Sequence, residues 1–375
     1  MSIKILHTAD IHIGLKFTGR DYPSGLTEKL VADRHDTLER IVELANSNAC
    51  DLIVIAGDMF DRITVSKADV RQAAEILNRF TGTAVAVLPG NHDFIEDNQN
   101  NIWKSFREKM NEHLLIFLEK PRVYSTNIGE VPINFYPGPC TTKHSKTNMI
   151  SWIKEAGKNS SAISIGVAHG SVEGLSPDIG KGYYPMQTEE LRNCGTDLFL
   201  LGHTHVRFPQ DNGHFSPAFF MPSTPCPDGF DCSHEGYVWI ITIDDNKKLS
   251  YESVKTGKYL FLSRELNIGS ADDLVKIENE ILAFPGDTTL LKLKLNGRIS
   301  KSDYPFLEGL KNVISRQLAY AEFDFDGVTL NIDREYIDAN FSRDSLPYRL
   351  LSRLAAADDQ LALQLAAGLI GESKE

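Results

Sequence analysis

The sequence predicts an α/β protein: a two-sheet sandwich flanked by helices, followed by a smaller C-terminal α/β cap and terminal helices. Three observations lead there. Short apolar runs such as Asp51–Ala56 and Asp197–Leu201 have the length of buried strands and alternate with amphipathic stretches of helical period. Five such runs lead into motifs rich in Asp, His and Asn, which puts these polar groups at strand ends, where the loops of layered α/β proteins line one crevice. Beyond about residue 260 the apolar spacing changes character, as a second, smaller unit requires.

Taken in order, the chain enters at once into the strand Ile3–Leu6 and offers no basic segment, apolar core and small-residue cleavage site, so no export signal is expected. Asp36–Ala45 and Lys67–Phe80 are predicted helices. Ala218–Ile243 combines short strands with several prolines and predicts a second sheet of antiparallel strands. These elements assign residues 1–259 to the first domain. Within residues 260–338, Ala271–Ala283 and Tyr304–Leu318 have helical period, whereas Leu291–Leu295 and Gly327–Ile332 look like strands. In the last segment, 339–375, Leu346, Leu350, Leu351 and Leu354 are assigned to one helical face, and a second helix is predicted from Asp359 to Ile370. That face packs on its own domain or docks on a partner helix, and the sequence leaves both open.

The 375 residues are 42% hydrophobic and 24% charged, an ordinary globular composition, and no apolar stretch is long enough to cross a bilayer. Cys50, Cys140, Cys194, Cys226 and Cys232 are odd in number and scattered, which fits reduced thiols and a cytoplasmic location. Cys226, Cys232 and His234 match no common zinc spacing, and Pro225 and Pro227 flank one of them. The formal net charge of −12 argues against a surface that binds nucleic acid everywhere, but not against a local groove. Lys16, Arg20, Arg62 and Arg207 lie near the motifs, as groove residues or as ordinary solvated cations. No Gly-x-x-x-x-Gly-Lys-Ser/Thr loop occurs, so any ATP hydrolysis belongs to another protein.

The five motifs are Asp10-Ile11-His12, Gly57-Asp58-Met59-Phe60-Asp61, Gly90-Asn91-His92-Asp93, Ala168-His169-Gly170 and Gly202-His203-Thr204-His205. Each alone is weak or moderate evidence, but together they describe a two-metal site. Carboxylate, imidazole and amide donors without cysteine suit manganese or iron, with zinc also open. Asp58 has two oxygens and can bridge two ions, while the small Gly57 lets the loop turn tightly. Two ions about 3.5 to 4 Å apart hold a phosphate and activate a water for in-line attack. They also outweigh the charges of Asp10 and Asp58, so an acidic chain can still attract a phosphodiester. His92 is the candidate proton donor to the leaving oxygen, with Asp93 expected to fix its ring. His7, His35, His113, His144, His214 and His234 lie outside the motifs and are taken as core or surface histidines.

The motif set resembles the calcineurin-like metallophosphoesterases and, more narrowly, the SbcD-like DNA-repair exonucleases, bacterial relatives of the double-strand-break repair nuclease. The resemblance implies that Asp10, His12, Asp58 and His205 hold one manganese, that Asp58, Asn91, His169 and His203 hold the other, and that His92 assists catalysis. It implies further that the cap selects the DNA end, that the terminal helices dock on an SbcC-like coiled-coil ATPase, and that the protein is a homodimer. Some archaeal members carry histidine where this chain has Asp61, so Asp61 is expected to orient a ligand and not to contact substrate. The sequence also admits a phosphoesterase acting on a small nucleotide or other phosphoester, and a non-catalytic binding module of the same fold.

Overall fold

Apolar runs of five to seven residues, bounded by Gly, Asp and Thr, fold as strands covered on both faces, which is why they are hydrophobic throughout and do not alternate. The computed structural model describes residues 2–96, 101–156, 161–178, 180, 182–210, 217–230, 235–357 and 359–372. It divides into two units, Met1–Leu260 and Phe261–Glu375.

In the first unit the order is β1 (Ile3–Thr8), α1 (Leu26–Ser47), β2 (Leu52–Ala56), α2 (Lys67–Leu77), β3 (Ala84–Leu88), α3 (Ile102–Arg107), β4 (Leu115–Phe117), β5 (Tyr124–Ile128), β6 (Val131–Gly138), β7 (Ile163–His169), α4 (Thr188–Asn193), β8 (Leu198–Gly202), β9 (Phe219–Phe220), β10 (Tyr237–Ile243) and β11 (Leu249–Lys255). Six strands form one sheet in the order β11-β10-β1-β2-β3-β4, and five form the other in the order β5-β6-β7-β8-β9. β1 to β4 run parallel, as do β6 to β9, so both sheets send successive carboxyl ends to one edge.

The two-residue side-chain period sorts each strand between layers. Leu52, Val54 and Ala86 face Ile133, Phe135, Ile165 and Leu200 between the sheets. Ile53, Ile55, Val85 and Val87 point outward onto Leu38 and Ile41 of α1 and Ala73 and Leu77 of α2. Ser66 caps α2 by accepting from the Asp69 amide at 3.1 Å, which starts the helix where the sequence places it.

The expectation for Ala218–Ile243 is corrected by the structure. β9 joins the second sheet parallel to β8, whereas β10 crosses to the first sheet and pairs antiparallel with β1. Prolines mark the passage between sheets, not turns within one. Antiparallel pairing in the second sheet is confined to β5 and β6 among the described residues.

In the second unit β12 (Leu260–Ile268), α5 (Ala271–Leu282), β13 (Thr289–Ile299), α6 (Tyr304–Gln317) and β14 (Tyr320–Leu330) build a three-stranded sheet, order β12-β13-β14, with helices that bury Leu274, Ile277, Ile281, Leu307, Leu310 and Ile314. β14 begins ahead of Gly327, where Phe323 and Phe325 are half-buried. α7 (Arg334–Asn340), α8 (Leu346–Ala356) and α9 (Gln360–Glu372) follow and share a core of Ile337, Tyr348, Leu351 and Leu363. The single leucine face expected for α8 is wrong: Leu351 is fully buried, but Leu346 and Leu350 are 77% and 41% exposed. At 3.6 residues per turn, five residues separate Leu346 from Leu351 by about 140°, so the two cannot share a face. No helix among the described residues is long and apolar enough to cross a membrane.

Candidate metal centre

All seven candidate ligands meet at the edge where β1, β2, β3, β7 and β8 end. The loop after β1 extends its ladder alongside the loop after β2: the Asp10, His12 and Ile13 amides donate to the carbonyls of Gly57, Asp58 and Met59 at 3.1, 3.0 and 2.9 Å. This pairing holds Asp10, His12 and Asp58 side by side. Asp10, His12, Asp58, His203 and His205 all have positive φ, between 50° and 94°, a region that non-glycine residues rarely occupy. Five such residues in one cleft store strain where function needs the side chains aimed inward.

Glycines make the remaining room. Gly57 has φ 91°, and a Cβ there would lie 2.1 Å from His169 Nδ1. A Cβ on Gly90 would lie 2.2 Å from Asp58 Oδ1.

The donor atoms converge in a way that calls for cations. His169 Nδ1 donates to the Ala56 carbonyl at 2.8 Å, which leaves Nε2 facing Asn91 Oδ1 at 2.9 Å and Asp58 Oδ2 at 3.2 Å. His203 Nε2 donates to Asp178 Oδ2 at 2.9 Å, leaving Nδ1 facing the same Asn91 oxygen at 3.0 Å. On the other side, His12 Nε2 faces His205 Nε2 at 3.4 Å and Asp58 Oδ2 at 4.0 Å, and His205 Nε2 lies 3.6 Å from Asp10 Oδ1. So many carboxylate, amide and imidazole donor atoms converging within a few ångströms call for positive charge between them, a proton on His169 in the metal-free chain or divalent ions, which the donor set fits. Asp10, His12 and His205 form one cluster and Asp58, His169 and His203 another.

The electrostatics agree. Burial alone would lower the His169 imidazole, but Asp58 and Asp10 overcome it and push it up to about 9, so in the metal-free chain Nε2 holds a proton that an arriving cation displaces. Burial opposes ionisation of Asp58 as well, yet His169 and its neighbours hold that carboxyl well below the usual carboxylate range. Burial drives the His12 imidazole down to about 4, which favours the neutral, ligating form.

The expected role of Asp93 is corrected. His92 Nδ1 donates to the Asp61 carbonyl at 2.9 Å, so Asp61 orients the ring through its backbone, while the Asp61 carboxylate takes Arg62 Nε at 2.7 Å. The Asp93 carboxyl turns away and accepts from the Gly90 and Phe60 amides at 2.7 and 3.0 Å, bracing the loop after β3 against the loop after β2. Burial and the charge of Asp58 push that carboxyl up to about 8. Adjacency in sequence does not bring the Asp93 carboxyl to the His92 ring.

A cleft of about 430 Å³ opens over the cluster, and Asp178, Tyr183 and Asp228, which sequence reasoning missed, line it with His92 and His205. None of them follows an apolar run, so no periodic signal marks them. Arg20, Arg62 and Arg207 do not line it: Arg20 lies over the Phe230 ring, Arg62 is drawn to Asp61, and Arg207 lies over Tyr237. Cys226 is buried with its thiol pushed up to about 12 by desolvation; Cys232 and His234 lie outside the described residues. Of the remaining histidines, His7 and His35 are buried, His113 and His144 exposed, and His214 lies outside the described residues.

A two-sheet sandwich with imidazoles, carboxylates and an amide clustered at its strand ends defines a divalent-metal phosphoesterase. The calcineurin-like phosphoesterase family profile matches residues 3–207, more than half of the chain, and the chain belongs to that family. The DNA double-strand break repair protein Mre11 of Methanopyrus kandleri is 25% identical over 234 residues, covering 60% of this chain and 49% of that protein. The SbcD component of the SbcCD nuclease of Staphylococcus saprophyticus is 30% identical over 146 residues, 37% of this chain and 35% of that one. The uncharacterized metallophosphoesterase YhaO of Bacillus subtilis is 23% identical over 303 residues, 79% and 69% of the two chains. This chain spans about half or less of the length of the repair proteins it matches.

Proposed function

We propose that this protein is a two-metal DNA nuclease of the SbcD type, an exonuclease that also admits endonuclease action, processing DNA ends in repair. The observation that carries the reading is the convergence of Asp10, His12, Asp58, Asn91, His169, His203 and His205 on two adjoining clusters, in a chain with Mre11 and SbcD relatives. Manganese is the proposed ion. When bound, such ions supply charge that holds a phosphodiester and acidity that makes water a nucleophile at neutral pH. The chain's own contribution to bond breaking is His92: with Nδ1–H committed to the Asp61 carbonyl, Nε2 of the imidazolium form is the nitrogen that gives its proton to the departing oxygen and is left neutral. Asp93 is a positioning residue that keeps Asn91 and His92 in register with Asp58, whose Oδ1 accepts from the His92 amide at 2.8 Å.

In this reading residues 1–259 are the nuclease, 260–338 a cap that selects DNA ends, and 339–375 helices that dock on an SbcC-like coiled-coil ATPase, in a cytoplasmic homodimer. Support for docking comes from α9, where Leu361, Leu365 and Leu369, four residues apart, are 62 to 69% exposed along one face.

The test is manganese-dependent cleavage of end-labelled linear duplex and single-stranded DNA by the full chain, beside Asp58→Asn and His92→Gln. His92→Gln should retain metal binding and lose about 10²- to 10⁴-fold in kcat. Full activity in both variants would overturn the site assignment. Hydrolysis of small nucleotide esters without DNA cleavage, with or without an ATPase partner, would overturn the substrate.

A further inference from the structure

The segment that follows β7 approaches the Gly202-His203-Thr204-His205 motif from outside the cluster. Its base is fixed by pairing with the strand-like stretch 183–186: the Ser171 amide donates to the Tyr183 carbonyl at 2.8 Å, and the Met186 amide to the Ser171 carbonyl at 2.8 Å. Gly170 permits this approach, since a Cβ there would lie 2.4 Å from the Tyr184 carbonyl oxygen. Its middle is fixed by Ser176, whose Oγ accepts from the Val172 amide at 2.7 Å and shares a 2.7 Å hydrogen bond with Thr204 Oγ1, the hydroxyl between the two histidines. At its far end both oxygens of Asp178 are engaged: Oδ1 accepts from the buried Ser171 hydroxyl at 3.0 Å and Oδ2 from His203 Nε2 at 2.9 Å.

The consequence falls on the other side of the His203 ring. An ionised carboxylate only accepts, so Nε2 is the ring nitrogen that donates to it, and Nδ1, turned toward Asn91 Oδ1 3.0 Å away, is the nitrogen left to take a cation. The His203 backbone is held separately, its amide donating to both Asp10 oxygens at 3.1 and 3.0 Å, with φ 94°. The backbone bond alone leaves the ring free to turn, and Asp178 removes that freedom. The Tyr183 ring, with centroid 4.9 Å from that of His203, and the His169 ring, at 5.3 Å, flank it as walls.

We infer that Asp178 is a positioning residue for metal binding: through the Ser171–Asp178–His203 chain it fixes the tautomer and ring orientation that let His203 Nδ1 take a divalent cation together with Asp58, Asn91 and His169. The inference rests on the two-metal reading above. Outer carboxylates that orient ligating histidines typically change metal affinity 10- to 100-fold when removed.

The experiment is calorimetric titration of the metal-free full chain with manganese, for wild type, Asp178→Ala, Asp178→Asn and Ser171→Ala, with thermal unfolding of each metal-free protein alongside. Wild type should bind two ions. Asp178→Ala should bind one of them about 10- to 100-fold more weakly while the metal-free unfolding temperature stays put. Asp178→Asn, which keeps an acceptor oxygen for Nε2–H, should recover part of that loss, and Ser171→Ala, which only loosens the carboxylate, should show a smaller loss than Asp178→Ala. Two ions bound by Asp178→Ala with wild-type affinity would overturn the inference and leave the two-metal reading standing, whatever happens to DNA cleavage. Failure of wild type to bind two ions would overturn both.

Discussion

Replacing Gly57 by alanine tests how the strand ends were cleared to admit the His169 imidazole. The new Cβ would stand 2.1 Å from His169 Nδ1, 2.5 Å from Cγ and 2.8 Å from its Cβ. Contact lies near the root of the imidazole, so the ring cannot swing aside; His169 must retreat by about 1 Å or more to reach ordinary van der Waals separation. Retreat breaks the 2.8 Å bond to the Ala56 carbonyl in a fully buried setting, at about 1–3 kcal/mol. Alanine at φ 91° adds about 1–2 kcal/mol of backbone strain. The sum is about 2–5 kcal/mol, a large part of an ordinary domain's stability. Moving His169 also takes Nε2 away from Asn91 and Asp58. Urea unfolding of the metal-free protein should register the destabilisation, and manganese titration a weakened site. A variant within about 0.5 kcal/mol of wild type, with unchanged metal affinity, would refute the argument that the glycine exists to admit His169.

His7 is fully buried and its imidazole is driven down to about 4 by desolvation, against about 6.5 in the unfolded chain. Its stability contribution is therefore complete above about pH 6.5 and is lost as pH falls toward 4, by about 3 kcal/mol in all; in metal-free protein, His7→Leu should flatten stability against pH by about one proton in that window, and an unchanged slope would contradict the assignment. In the second unit, Leu363→Ala removes a fully buried side chain and should cost about 2–5 kcal/mol, whereas Leu365→Glu, at a 62% exposed position, should stay within about 0.5 kcal/mol by urea unfolding. Equal effects from the two would mean that α9 packs differently.

How much of this was legible in the sequence depends on range. The clustering of the candidate ligands was legible because each follows an apolar run too short to be anything but a strand, and parallel strands bring their carboxyl ends to one edge. Asp178 and Tyr183 were not, since they sit in a loop whose position is set by pairing with residues 141–147 and 171–172, long-range contacts without periodicity. The Asp93 error arose from taking the neighbour in sequence for the neighbour in space: the tight turn after β3 sends consecutive side chains in different directions, and the carbonyl of Asp61, 31 residues away, holds His92. The antiparallel expectation for residues 218–243 failed because a two-residue strand, β9, carries too little pattern to reveal its direction. Buried Arg34 was also unforeseen; it donates to the Ile11 and Cys226 carbonyls at 3.2 and 2.7 Å and pairs with Asp228, tying the first motif to the wall of the cleft.

The most direct test of the whole account is anomalous diffraction at the manganese edge from crystals of the full chain grown with manganese. The account predicts two peaks per chain, one among Asp10, His12 and His205 and one among Asn91, His169 and His203, with Asp58 reaching both. A single peak, or peaks away from these residues, would contradict it.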